Sequence, residues 1–207
     1  MKTFPIMLNI RGRRAVVVGA GPVGLRKARA LVSAGARVVL VDANPGPEAQ
    51  SFAGATLVRE PYRLEQLADA ILVFACTNDP ALNRRIAADA RTLGALANAA
   101  DQPDDCDFFL PSALVDGDVV VAVGTGGLAP ALAASVRDRI GRSLPAGLGR
   151  FAQTVGELRD TLRQRVPDAQ LRTAILRRLC TQEVLEAFLA HGRSALEQKL
   201  VELLKEE

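Results

Sequence analysis

The sequence predicts an α/β fold: a mostly parallel sheet with helices on both faces, then a hairpin-and-helix segment and a small C-terminal helical domain. Three observations carry this. Short, continuous apolar runs alternate with stretches of helical periodicity through the first half of the chain, the pattern of buried parallel strands joined by crossover helices. The apolar residues are mainly Ala, Val and Leu, with no Trp and one Tyr, which suits strands packed between helices better than an aromatic-rich sandwich. From about residue 147 onward only helical periodicity remains.

Taken in order, residues 14–19 (RAVVVG) form the first buried strand and run into the glycines of GAGPVG. Residues 23–34 then place apolar side chains at helical spacing, with Gly35 positioned to end the helix. A second strand is expected at 37–42, a loop at Asn44-Pro45-Gly46-Pro47, and a short strand near 55–58. The run 70–76 (AILVFAC) reads as another strand, 80–93 as a helix and 95–99 as a strand. After the loop DQPDDCD the pattern changes to FFLPSALV, Asp116-Gly117 and DVVVAV. Asp-Gly between apolar runs predicts a hairpin, both turn residues taking positive φ, that extends the sheet or pairs with another subunit. Thr125-Gly126-Gly127 and a helix from about Pro130 follow, and three or four helices broken near Pro167 and Gly192 complete the chain. The expected divisions are 1–112, 113–146 and 147–207.

Composition narrows the functional classes. A net charge of +3 suits anionic small molecules but shows no stripe of the kind that binds nucleic acid. Cys76, Cys106 and Cys180 are too far apart for a CxxC pair or a zinc ribbon, and a sparse, odd set is expected to be reduced thiols in the cytoplasm. No stretch approaches the ~20 apolar residues of a membrane helix, and the apolar run in MKTFPIMLNIRGRR is too short for a signal peptide.

Gly19-Ala20-Gly21-Pro22-Val23-Gly24 matches GxGxxG in full. Alone the pattern is met in many turns; here a buried strand precedes it, a helix follows, and Asp42 ends the next strand. That context predicts a Rossmann-type dinucleotide site. Gly19 makes the tight turn, Gly21 lets a pyrophosphate approach the backbone, and Gly24 allows close helix–strand packing. Pro22 and Val23 open the helix whose N-terminus receives the phosphate. Asp42 follows Gly24 by 18 residues, near the ~20 expected of an acid that binds the ribose 2′-OH. A carboxylate there repels a 2′-phosphate, so the expected cofactor is NAD rather than NADP. Ala43 and Asn44 beside it, and Thr77 after the 70–76 strand, complete the candidate cofactor set.

The segment FPIMLNIRGRRAVVVGAGPVGLRKARALVSAGARV resembles the opening of the precorrin-2 dehydrogenase/sirohydrochlorin ferrochelatase family, the N-terminal part of siroheme synthase, including an Arg-Lys pair at Arg26 and Lys27. ACTNDPALNRRIA, NAADQP, FFLPSALVDGDVVVAV and GTGGLAPALAASVRDRI extend the resemblance in order through about residue 150. It implies NAD-dependent oxidation of precorrin-2 to sirohydrochlorin and, in some members, insertion of ferrous iron as a second activity; the apolar hairpin at 113–123 separately predicts a homodimer. No metal ligand is assigned. The resemblance also implies that Asp101 is the catalytic aspartate and that Thr125 matches a hydroxyl residue near the later Gly-Gly pair. Departures are Gly124 and Ala129, where relatives often carry Ser, and Asp116-Gly117, where a basic turn is commoner.

The residues fit that chemistry independently. Oxidising a reduced tetrapyrrole sends a hydride to NAD and a proton to a base, and Asp101 falls at the C-terminal edge of the sheet, where ligands collect. The substrate is rich in carboxylates, which Arg137 and the N–H groups of Gly126 and Gly127 are placed to meet; Arg137 equally fits a solvated helix face. Asp104, Asp105, Cys106 and Asp107 read as a metal-touching cluster or, more ordinarily, as a solvated acidic loop. His191 reads as a surface residue. Two other readings stay open: an NAD-sensing regulatory module of the potassium-transport type, which needs no base, and a dehydrogenase of another small substrate. The matches over 75–140 count against both.

Overall fold

In the computed structural model, which describes residues 3–205, the chain divides into two compact units that meet in sequence between Leu110 and Pro111. The first holds five parallel strands, β1 (Arg14–Val18), β2 (Arg37–Val41), β3 (Ala55–Val58), β4 (Ala70–Ala75) and β5 (Leu96–Ala99). Their order is β3-β2-β1-β4-β5. Three helices join them: α1 (Pro22–Ser33), the single turn α2 (Pro47–Gln50) and α3 (Pro80–Thr92).

Strand alternation sorts the core into two layers. Ala15 and Val17 of β1, Leu40 of β2, and Leu72 and Phe74 of β4 pack against Leu25, Ala28 and Leu31 of α1 and Ala49 of α2. Val16, Val18, Val41, Val73 and Ala75 face the opposite way, onto Ile86, Ala87 and Ala90 of α3. Helices therefore cover both faces, as the continuous apolar strands require. Chain order reverses between β1 and β4, which opens a crevice at the carboxyl ends of the strands.

The second unit begins with the antiparallel hairpin β6 (Ser112–Asp116) and β7 (Val119–Val123), a two-stranded sheet of its own. The turn departs from expectation by one residue. Asp116 pairs with Val119, so Gly117 and Asp118 form the turn, and only Gly117 has positive φ, at 57°. Asp116 stays in the strand because its carboxylate accepts a hydrogen bond from the Gly149 N–H at 3.0 Å. Helix α4 (Pro130–Ser143) packs on one hairpin face, leaving Val115 and Val120 of the other face exposed.

Four helices follow: α5 (Leu148–Arg165), α6 (Ala169–Leu179), α7 (Gln182–His191) and α8 (Arg193–Lys205). Asp168 caps α6 through the N–H groups of Gln170 and Leu171, and Gly192 breaks the chain at φ 73°. A third break comes at Cys180–Thr181, where the Thr181 hydroxyl caps α7. The helices bury Leu158, Leu162, Ile175, Leu179, Leu196 and Leu203, with Phe151 and Phe188 edge to face at 5.4 Å. Among the described residues no helix is long and apolar enough to cross a membrane.

Candidate active site

The site is built where β1 turns into α1. Gly19 takes φ 95°, and a Cβ there would stand 2.5 Å from the Cys76 carbonyl oxygen. A Cβ on Gly24 would lie 1.9 Å from the Gly19 oxygen, so helix and turn pack backbone to backbone. Gly21 differs, since a Cβ there would meet nothing within 4 Å and would project into open space. It is also the N-cap of α1, and no side chain caps that end. The first-turn N–H groups are thus left for an anion, at the positive end of the helix dipole.

Beside the turn lies a cleft of about 680 Å³, walled by Gly19–Pro22, Asp42–Asn44, Glu60–Tyr62, Thr77 and Leu82. Asp42 closes it at the end of β2. Its Oδ2 accepts from the Ala20 N–H at 2.7 Å and its Oδ1 from the Asn44 N–H at 2.8 Å. A carboxylate has about four lone-pair positions, so two remain for ribose hydroxyls. Glu48 and Glu60 line the same cleft, and among the described residues no Lys or Arg does. Glu48 pairs with Arg29 and Glu60 with Arg63. The shape, the open helix end and the carboxylates fit a dinucleotide with free ribose hydroxyls.

Thr77 stands on the opposite wall, fixed by Asn83: its N–H donates to Asn83 Oδ1 at 3.0 Å, its hydroxyl to the same oxygen at 2.7 Å. Ala43 and Asn44 line the cleft as expected. Val23 and Gly24 do not: Val23 is exposed on the first turn of α1, and Gly24 is buried beneath Gly19. Tyr62 and Glu60 were not foreseen from sequence, because Glu60-Pro61-Tyr62 lies in an irregular stretch with no periodicity. The Tyr62 hydroxyl donates to Asp89 at 2.8 Å, and burial followed by that carboxylate pushes its pKa up.

Asp101 lies two residues beyond β5, exposed, with φ 59°. A non-glycine residue rarely adopts that backbone, and it is found where structure around it holds it in place. The neighbouring acids have other partners. Asp105 meets Arg84 at 3.3 Å, and Asp107 meets Arg91 and accepts from the Ala97 N–H, both at 2.8 Å. Among the described residues no group of three or more His, Cys, Asp or Glu could hold a metal ion.

The first unit thus brings together the glycine turn, Asp42 and Thr77 around the cleft; Asp101 lies at the same carboxyl edge of the sheet but does not line the cleft. Thr125, Gly126, Gly127 and Arg137 belong to the second unit. The Thr125 hydroxyl accepts from the Ala129 N–H at 3.2 Å, which ties the Gly126-Gly127 turn to the start of α4. Arg137 donates to the adjacent Asp138 through Nε and Nη2.

Known proteins match along the same lines. A family model described as putative NAD(P)-binding covers residues 6–112, and one described as the sirohaem synthase dimerisation region covers residues 147–204. The second coincides with the C-terminal helices, where no motif stands out in the sequence. Siroheme synthase of Nitrosomonas europaea is 34% identical over 99% of this chain and 44% of its own length. That of Nitrosospira multiformis is 40% identical over 80% of this chain and 36% of its own. The chain therefore spans less than half the length of these curated relatives. A solved structure, SirC, precorrin-2 dehydrogenase, superposes with a TM-score of 0.78, covering 97% of this chain and 100% of that one at 18% identity, and so shares the fold. By these matches the chain belongs to the putative NAD(P)-binding family and is homologous to siroheme synthases over nearly all of its length.

Proposed function

We propose that this protein is an NAD-dependent dehydrogenase that oxidises precorrin-2 to sirohydrochlorin. The observation that carries the reading is Asp101, a carboxylate held at positive φ on the carboxyl edge of the sheet that also bears the dinucleotide cleft. NAD, when bound, supplies a hydride acceptor. The chain's own part is to place it and to take the proton. The open end of α1 receives the pyrophosphate, Asp42 the ribose, and Thr77 the far wall of the cleft. Asp101 accepts the proton released as the hydride leaves, so the two electrons and both hydrogens are accounted for. Asp42 favours NAD over NADP by repelling a 2′-phosphate, while the charges of Glu48 and Glu60 are offset by Arg29 and Arg63.

Thr125, Gly126, Gly127 and Arg137 are proposed to meet the carboxylates of the tetrapyrrole. Arg137 would exchange its exposed partner Asp138 for a substrate carboxylate, at little cost because surface pairs are weak. Residues 1–112 are read as the catalytic dinucleotide domain, 113–146 as a dimerisation hairpin and helix, and 147–207 as a helical domain. The open apolar hairpin face supports a homodimer. The free thiols of Cys76, Cys106 and Cys180 suit a reducing cytoplasm.

Anaerobic incubation with precorrin-2 and NAD tests the reading. Sirohydrochlorin absorbance should rise in step with one equivalent of NADH. Tight NAD binding without oxidation would favour a sensing module instead. Adding ferrous iron to the finished reaction and following the siroheme spectrum decides whether the chain also inserts metal, for which Asp101 is the available base for pyrrole protons.

A further inference from the structure

The carboxyl edge of the sheet conceals a cation with no role in the reaction as described so far. Lys27 on α1 turns its ammonium inward, where Nζ donates to Asn98 Oδ1 at 3.0 Å and lies 5.1 Å from the centre of the Phe74 ring. Its hydrogen-bond partner is a neutral amide, and among the described residues no carboxylate forms an ion pair with it. Burial pushes its pKa down, while Cys76, Cys106 and Asp101 push it up. Desolvating a cation without an anion beside it is costly, so the position calls for a reason beyond packing.

Asn98 supplies the connection. It is 7% exposed in a strand whose neighbours are apolar. Its Nδ2 donates to the Phe108 carbonyl at 2.9 Å and to Cys106 Sγ at 3.5 Å. The Cys106 thiol in turn donates to the carbonyls of Ala99 and Gln102, at 3.2 and 3.3 Å. Phe108 meets Phe74 edge to face at 5.4 Å. The far end of the loop that carries Asp101 is therefore tied to one amide through Cys106 and Phe108, and that amide is held by Lys27.

Building on the proposed role of Asp101 as proton acceptor, we infer that Lys27 is its positioning residue: through Asn98 it holds the loop that presents the carboxylate. The other ionisable groups around the pair are Arg26 on α1, Cys76 after β4, and Asp104, Asp105, Cys106 and Asp107 in the loop. Asp105 and Asp107 are committed to Arg84 and Arg91 of α3. Lys27 is thus a cation held against the loop from the α1 side by a neutral amide.

The test is kcat and KM for precorrin-2 oxidation by the full chain and its variants, with NAD binding and thermal stability measured separately. Lys27→Met should lower kcat about 10- to 100-fold, the cost of a misplaced catalytic group, with the KM for precorrin-2 and NAD affinity unchanged. Lys27→Gln keeps a donor for Asn98 and should recover most of kcat. If Lys27→Met folds poorly, Asn98→Ala cuts the same link from the strand side and should show the same fall in kcat. A native kcat in folded Lys27→Met overturns the inference, as does a loss of thermal stability without a fall in kcat. A wild-type chain that binds NAD and leaves precorrin-2 unoxidised overturns the functional reading, and the role of Lys27 falls with it.

Discussion

Asp42 Oδ2 accepts the backbone N–H of Ala20 at 2.7 Å, so the end of β2 is tied to the middle of the glycine turn that leaves β1. The residue proposed to set cofactor choice therefore also holds the shape of the glycine turn. Asp42→Ala should narrow the preference for NAD over NADP and weaken both. It should also lower stability by about 1–3 kcal/mol, because two N–H groups lose a charged acceptor. Steady-state kinetics with each cofactor and a thermal melt check this. Equal kcat/KM for NAD and NADP in the native protein would end the argument.

Gly24→Ala should be more damaging than its size implies. The added methyl would sit 1.9 Å from the Gly19 oxygen, and that neighbour is backbone with little room to shift. Overpacking of this kind costs about 1–3 kcal/mol, and the displaced turn should bind NAD weakly. Gly21→Ala meets no protein atom and should fold normally while still obstructing the cofactor. Melting temperature paired with NAD affinity distinguishes the two.

Asp101→Asn keeps the size of the side chain and removes its charge and basic lone pair. Base catalysis contributes ~10²–10⁴-fold, so the oxidation rate should fall by that order while NAD affinity holds. A folded variant that oxidises precorrin-2 at close to the native rate removes Asp101 from the mechanism and points to Asp104, Asp105 or Asp107.

Burial raises the pKa of the Cys76 thiol to about 11, from a usual value of 9.0, with Lys27 and Arg26 opposing the rise. A folded-state pKa above the unfolded one means that the stability involved is complete below about pH 9 and is lost as pH climbs to about 11. The loss amounts to about 2–3 kcal/mol. The lowered pKa of Lys27 acts in the opposite direction over part of that range, so the difference between wild type and Cys76→Ala isolates the thiol. Denaturant titrations at pH 8 and pH 11 should show the gap moving by that amount in favour of the variant.

The exposed hairpin face supports a prediction about mass. Val115 is 66% and Val120 40% exposed, and a two-stranded ribbon with an open apolar face is marginal in water by itself. Light scattering at micromolar concentration should give a dimer. Val115→Lys should raise its dissociation constant about tenfold or more, since the lysine must be desolvated on association. A native monomer at those concentrations would refute the assembly.

Much of this was legible before any coordinates. Past an initial Arg in the first two, the strands at 14–18, 37–41 and 70–75 announce themselves because each lies within the sheet and so reads as an apolar run, while 96–99 is interrupted by Asn98. The glycine turn was equally plain, since backbone contact at Gly24 tolerates no side chain and the sequence must carry that constraint locally. The hairpin was legible in existence but not in register. Asp116-Gly117 satisfies the local rule for a turn, and only the distant N–H of Gly149 keeps Asp116 in the strand instead.

What the sequence determined by itself was the alternation of strand and helix, the glycine turn and the acid at the end of the next strand. Each of these is a short-range pattern in which neighbouring residues constrain one another. Tertiary structure alone decided the rest: that Tyr62 walls the cleft, that Asp105 and Asp107 are taken up by Arg84 and Arg91, and that Lys27 reaches Asn98 across 71 positions of chain. The one advance sign of that last link was a polar Asn in an apolar strand. Its partner could not be named, because hydrogen bonding in a core depends on which elements the sheet order places side by side, and that order is a property of the whole fold.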